Sequence, residues 1–244
     1  MEIDKERLHF LENFLSARRI SRLKTVLEQR TRYIVCVVEN LYDSRNGSAI
    51  IRHCDALGIQ EIHAIANKNR FRTDRQVDLG TSQWLDVMIY NLEDETPVQS
   101  AVPGHGTCTP EVLRTLKQRG FRIVATSLQT DKTVSPETLD LVKGPIAVVF
   151  GTEKHGISDD VKKQADEFLH IPMVGFVDSF NISAAAAIIL YVLSTRIRQE
   201  HLPWPLELKD AMATYFRWVE TSVRHSKALL GRFEENLRAD NGLK

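Results

Sequence analysis

Hydrophobic residues recur at helical spacing through the first 32 positions: Leu8, Leu11 and Leu15, then Ile20, Leu23, Val26 and Leu27. That spacing predicts an amphipathic helical segment over residues 1–32. From Tyr33 the texture changes to short apolar runs separated by helical patterns. The runs at 33–38, 61–65, 86–89, 122–126, 146–150 and 168–171 read as strands. The stretches at 48–57, 111–119, 137–142, 159–165 and 183–198 read as helices. Strands alternating with helices predict an α/β fold, a mostly parallel sheet covered by helices on both faces. Turn residues agree: Thr109-Pro110 opens one helix and Gly120 closes it, Ser135-Pro136 and Gly144 bracket the next, and Gly58 follows the helix that begins near Ser48. Residues 91–108 are polar and turn-rich and read as an inserted loop. Beyond Pro203 a second helical region has Leu206, Leu208, Met212, Tyr215, Phe216 and Val219 at core spacing. The expected organisation is an N-terminal basic helical extension (1–32), a main α/β domain (33–198) and a C-terminal helical extension (199–244).

Composition narrows the class. The chain has 244 residues, 43% hydrophobic and 26% charged, the mix of a globular protein and not of a fibrous or disordered one. Lys+Arg and Asp+Glu each number 32, so no global field drives it onto nucleic acid, and such contacts have to come from local patches. One patch stands out: between 16 and 32, Arg18, Arg19, Arg22, Lys24, Arg30 and Arg32 face Glu28 alone, leaving +5. Cys36, Cys54 and Cys108 form no C-x-x-C pair, which argues against a disulfide framework and a cysteine metal site. The charged N-terminus lacks a signal-peptide core, and the longest apolar run, 184–193, is too short for a bilayer. A cytoplasmic protein without metal or membrane is expected. That run is apolar on every face, so its helix needs cover on all sides, from the sheet and from a second subunit.

Three segments carry candidate chemistry. ENLYDSRNGSAIIRHCDALG (39–58) runs strand, polar loop, helix, with Asn46 or Ser44 as a capping residue and Arg52 on the second helical turn. VVFGTEKHGIS (148–158) empties a buried strand into a glycine-bracketed loop, where Gly151 would let a ligand approach the backbone. It is not a phosphate-binding P-loop, and no G-x-G-x-x-G occurs, which disfavours a nicotinamide-dependent dehydrogenase. IPMVGFVDSFNISAAAAIILY (171–191) leads from a strand end to the apolar helix, with Ser179 and Asn181 at capping positions.

In order and content these three stretches resemble the SpoU/TrmH family of SPOUT-class RNA ribose 2′-O-methyltransferases, over about residues 33–198, with most likeness to the members that act on tRNA guanosine in the D-loop. The resemblance implies a C-terminal trefoil knot, S-adenosylmethionine as cofactor, an RNA substrate and a homodimer with each site near the interface. Carried over, the functional residues are Arg52 and Asn46 of the first motif, Glu153 of the second, and Ser179 and Asn181 of the third. Thr126, Gly151, Ile171 and Phe180 occupy cofactor-pocket positions. Arg18, Arg19 and Arg22, with Arg70 and Arg72 after the second strand, are the expected RNA contacts. The chain departs from the family pattern at Arg45 (usually His), Asp178 (usually Gln) and Phe180 (usually Leu), and its 91–108 loop is long. These departures bear on which RNA is modified.

The resemblance makes Arg52 either the proton acceptor or a fixed cation at the reacting hydroxyl. A guanidinium is very hard to deprotonate, which makes the first role physically uncomfortable, and both roles stay open at this point. An rRNA methyltransferase of the same family and a catalytically idle RNA-binding protein on the same core are the competing readings.

Overall fold

The computed structural model describes residues 2–68, 71, 74, 78–91, 107–128, 133–152 and 154–240. Helices α1 (Glu2–Glu12) and α2 (Ala17–Leu27) open the chain, followed by β1 (Ile34–Glu39), α3 (Ser44–Ala56), β2 (Glu61–Ala66) and β3 (Asp86–Asn91). Then come α4 (Thr109–Gln118), β4 (Arg122–Thr126), β5 (Thr133–Val134), β6 (Ile146–Phe150), α5 (Asp159–Gln164) and β7 (Glu167–Leu169). The described residues end with α6 (Ile182–Gln199), α7 (Leu208–Ser222) and α8 (Ser226–Asp240).

Residues 31–204 form one compact unit. Its sheet has seven strands in the order β3-β2-β1-β6-β4-β7-β5, and every pairing is parallel. A parallel strand in mid-sheet is buried on both faces, and β1 and β6 are buried at every position. Alternate side chains go to opposite faces. Ile34, Cys36, Val38, Ile146, Val148 and Phe150 pack in one core with α3 and α6. Val35, Val37, Ala147 and Val149 pack in another with Val112, Leu113 and Leu116 of α4 and Val161 of α5. The α/β sheet covered on both faces is therefore present, with all seven strands parallel.

Two local expectations are corrected. Residues 137–142 do not form a helix; a turn at Ser135–Thr138 gives way to irregular chain and a second turn at Leu141–Gly144. Leu139 and Leu141 are both buried, a spacing of two that a helix would split between faces. The carbonyls of Pro136 and Leu139, which helical N–H groups would have taken, each accept a 2.8 Å bond from Arg196 Nη1. Second, Asp43, and neither Ser44 nor Asn46, caps α3, its side chain accepting from the Arg45 N–H.

Residues 1–30 and 205–244 form the other unit. The N-terminal segment is two helices and not one, because Ser16 starts α2 by accepting from the Arg19 N–H. Leu11, Leu23, Tyr215, Trp218 and Val219 are its buried core. Leu208 and Met212, expected inside, are exposed. Arg30 is 2% exposed, with its guanidinium 5.1 Å from the Trp218 ring centroid.

Candidate active site

Ligands of parallel α/β sheets settle beyond the carboxyl ends of strands. Here β4, β6 and β7 end around a cleft of about 590 Å³. Thr126 closes β4 and donates its Oγ1 hydrogen to the Val149 carbonyl at 3.1 Å. Phe150 closes β6 and Gly151 follows it; Leu169 closes β7, and His170 and Ile171 follow. The segment after Ile171 has no regular structure until α6, and brings Ser179, Phe180, Asn181 and Ile182 to the same cleft. Thr126, Gly151, Ile171 and Phe180, expected at a cofactor, thus line one cavity together with Ser179 and Asn181.

The floor is apolar, made by Phe150, Leu169 and Ile189, all nearly inaccessible to water. Lys154, His155, Lys162, His170 and Asp178 line it as well. Motif reasoning misses Lys154 and Lys162 and leaves His155 a loop residue. Their signal is positional, since each lies within twelve residues of the end of β6.

The loop after β6 is folded tightly on itself. Thr152 and Gly156 exchange backbone bonds of 2.8 and 3.0 Å, and Gly156 has φ +65°. A Cβ on Gly151 would lie 2.2 Å from the Gly156 carbonyl carbon and oxygen. Glycine is required there by the loop's own backbone, a different reason from the expected approach of a ligand.

Asn181 is the N-cap of α6: its Oδ1 accepts from the Ser183 N–H at 2.9 Å and the Ser183 hydroxyl at 2.7 Å. Its amide nitrogen donates to Asn46 Oδ1 at 3.3 Å, so the start of α3 meets the start of α6. Arg52 is exposed on α3 and is not among the residues lining the cleft. It stands six residues beyond Asn46, about 9 Å along the helix axis. Beside it, burial and the positive charge of Arg52 push the His53 imidazole below its ordinary range.

Of the expected RNA contacts, Arg18 and Arg22 are exposed, and Arg19 is half-buried with a 3.2 Å bond to the Ser222 hydroxyl. The basic patch is smaller than its sequence count: Arg30 is buried, and Arg32 pairs with Asp86 at 2.6 Å. Arg70, Arg72 and Glu153 lie outside the described residues, as does 92–106 of the expected loop. Among the described residues no group of three His, Cys, Asp or Glu side chains could hold a metal ion, and no helix is long and apolar enough to cross a membrane. The three cysteines are buried, and none is in a disulfide.

Fold and cleft together define a parallel α/β protein with a ligand site at the ends of β4, β6 and β7, walled by the loops that follow β6 and β7. The SpoU rRNA Methylase family model matches residues 33–191, and the chain belongs to that family. It is 35% identical over 228 residues to a tRNA (guanosine(18)-2′-O)-methyltransferase of Borreliella burgdorferi, covering 92% of this chain and 96% of the relative. It is also 35% identical over 171 residues to an enzyme of the same name from Thermus thermophilus, covering 70% and 78%. The solved structure of the Aquifex aeolicus TrmH/SpoU tRNA modifying enzyme aligns with a TM-score of 0.69 at 28% identity, over 85% of this chain and 98% of that one.

Proposed function

We propose that this chain transfers a methyl group from S-adenosylmethionine to the ribose 2′-hydroxyl of a guanosine in tRNA, position 18 being the target named for its relatives. One observation carries the reading. Six residues drawn from three separate segments converge on one strand-end cleft, in a chain that matches such an enzyme over 92% of its length.

The cleft fits the cofactor. Its volume, about 590 Å³, is that of an ordinary small-molecule site. The apolar floor suits a purine, while the lysines, histidines and Asp178 at its walls can meet a charged amino-acid tail. When bound, S-adenosylmethionine supplies a methyl group already activated on a positively charged sulfur.

What remains for the protein is to aim a ribose oxygen at that methyl and to manage its proton. Ser179 and Asn181 hold the wall of the cleft, and Asn181 ties it to Asn46. We assign Arg52 the role of a fixed cation. Placed beside the 2′-oxygen, its guanidinium would stabilise the negative charge that develops as the O–H bond breaks and the proton leaves to a substrate phosphate oxygen. Glu153 comes two residues after Gly151 in the sequence and is assigned to shape the second motif.

We infer further that the protein works as a homodimer and that its C-terminal core is tied in the family's trefoil knot. Supporting the dimer are Val174, Phe176, Val177 and Tyr191, large apolar side chains that one copy leaves exposed around the cleft segment and α6. Supporting the knot are family membership and a sheet order that sets β6 between β1 and β4. Arg18, Arg19 and Arg22, with Arg70 and Arg72, are assigned to RNA phosphates. The 1–32, 33–198 and 199–244 division is kept as the functional one, with the catalytic core in the middle. The substrate implies work in the cytoplasm, and no step calls on a metal ion.

The test is labelled methyl transfer into unmodified tRNA and rRNA, with the modified nucleotide mapped. Methylation of a tRNA guanosine 2′-oxygen is expected; label in rRNA alone would turn the reading to the ribosomal branch, and none in either would end it. Arg52→Ala should bind S-adenosylmethionine with unchanged affinity in calorimetry while losing about 10²-fold or more in turnover, as when a transition-state donor is removed.

A further inference from the structure

Glu39 ends β1, an otherwise apolar strand, and its side chain is 1% exposed. In the parallel register Val38 stands opposite Phe150, so Glu39 is level with Gly151, where β6 opens into the cleft loop. The carboxylate is met by donors from two directions. Oε1 accepts from the Thr109 hydroxyl at 2.6 Å and the Ser158 hydroxyl at 2.8 Å, and Oε2 accepts from the Ser158 backbone N–H at 3.1 Å. Thr109 is the first residue of α4; Ser158 is the N-cap of α5 and the last residue of the loop.

A buried carboxylate is costly unless its oxygens are hydrogen-bonded, and a leucine would complete the strand more cheaply. What the carboxylate adds is a two-oxygen acceptor that grips the loop's far end. The loop between Gly151 and Ser158 is closed on itself by the Thr152–Gly156 pair, and so behaves as a unit with two fixed points: Gly151 on β6, and Ser158 on Glu39. Gly151 itself, and Thr152, Gly156 and Ile157 between the two points, wall the cleft.

We propose that Glu39 is a positioning residue for the cofactor, holding the 151–158 loop at the height at which it walls the cleft. This rests on the reading of the cleft as the S-adenosylmethionine site. The Glu39 carboxylate is hydrogen-bonded by Thr109 and Ser158, neither of which lines the cleft, and it acts through Ser158.

Glu39→Gln keeps the side chain's shape, and its remaining oxygen can still accept from the two hydroxyls. Its amide nitrogen, however, faces the Ser158 N–H, donor against donor. The full-length variant is expected to raise the calorimetric Kd for S-adenosylmethionine about tenfold, a loss of roughly 1.4 kcal/mol. KM for the cofactor should rise in step, with KM for tRNA unchanged. In the cofactor-free protein, the amides of Thr152 and Gly156 should exchange hydrogen faster than in wild type. Thr109→Val removes the α4 arm, with the bond its hydroxyl accepts from Asn67, and leaves the Ser158 arm in place; it should lower Tm while leaving the cofactor Kd unchanged. A merely architectural Glu39 predicts the opposite split: fewer active molecules and a lower kcat, with Kd and KM for the cofactor unmoved, and that result overturns the proposal. If Glu39→Gln does not fold, Ser158→Ala, which deletes the hydroxyl arm, should show a smaller rise in Kd; no rise there overturns it equally. Wild-type protein that binds no S-adenosylmethionine would remove the functional reading and this proposal together, whereas tight wild-type binding with unaltered variants removes this proposal alone.

Discussion

At Gly151 a single hydrogen atom stands where any side chain would collide with backbone. An alanine Cβ would lie 2.2 Å from the Gly156 carbonyl and 2.3 Å from the Ile157 nitrogen, neither of which can move without opening the Thr152–Gly156 pair. Gly151→Ala is therefore expected to destabilise the fold by about 1–3 kcal/mol, the usual range for forced overpacking. Cofactor binding should weaken by more than about tenfold, since the displaced loop walls the cleft; thermal melts and calorimetry on the same preparation check both. Wild-type affinity in that variant would mean that the loop tolerates opening. Gly151 was legible in the sequence as a position, but its reason was not, because the atom it avoids belongs to a residue five places on. Arg30 and Arg32 show the reverse. They counted toward a basic patch, yet one lies buried on Trp218 and the other is committed to Asp86, and a charge count cannot see who a side chain's partners are.

At the scale of elements, one buried ion cluster joins β2, β3 and α4 across the sheet's outer end. Glu61, first residue of β2 and 3% exposed, accepts from both terminal nitrogens of Arg119, just past α4, at 2.6 and 2.9 Å. It also meets His63 Nε2 at 2.8 Å and Arg32 Nε at 3.2 Å, and Arg32 in turn reaches Asp86 at the start of β3. Burial alone would push the Glu61 carboxyl up, but hydrogen bonds from His63 and Arg119 outweigh it and hold the group down at about 2. A carboxyl lowered in the folded state gives stability that is fully present above its unfolded value, near 4.5, and is lost as pH falls toward 2, because the unfolded chain takes up the proton first. Urea midpoints measured across that window should fall steeply for the wild type. Glu61→Gln should be less stable by about 1–3 kcal/mol at neutral pH, the part-exposed guanidinium of Arg119 having lost its charged partner while Arg32 keeps Asp86, and should show a flatter acid limb. An equally steep limb in the variant would move the acid sensitivity elsewhere. None of this clustering was legible beforehand, since Arg32, Glu61, Asp86 and Arg119 are brought together only by strand order. The elements themselves were legible because period and turn chemistry agree at each of them. The exception, 137–142, has bracketing turn residues like a helix but apolar residues at a spacing of two, which the turn signals obscured.

At the scale of the molecule, α6 carries the argument for the proposed second copy. It has eighteen residues, and Ala186, Ile189, Leu190, Leu193 and Ile197 bury one face against the sheet. Tyr191, on another face, is 61% exposed, and the segment leading into the helix leaves Val174 and Phe176 fully accessible. The expectation of an all-round apolar helix needing outside cover came from sequence pattern alone; which face the sheet takes and which is left over depends on β6 and β1 lying side by side, a pairing across more than a hundred residues. A surface of this kind next to the cleft is the proposed seat of the second copy. The chain is accordingly expected to sediment at twice its 27.8 kDa. Tyr191→Asp would bury a charge without a partner in that contact, a cost of several kcal/mol and enough to dissociate an interface of ordinary strength. The variant should sediment as a monomer with an unchanged circular dichroism spectrum and lose methyl transfer. A monomeric variant that still methylates tRNA at the wild-type rate would show that one copy holds a complete site, and the exposed apolar surface would then need another occupant.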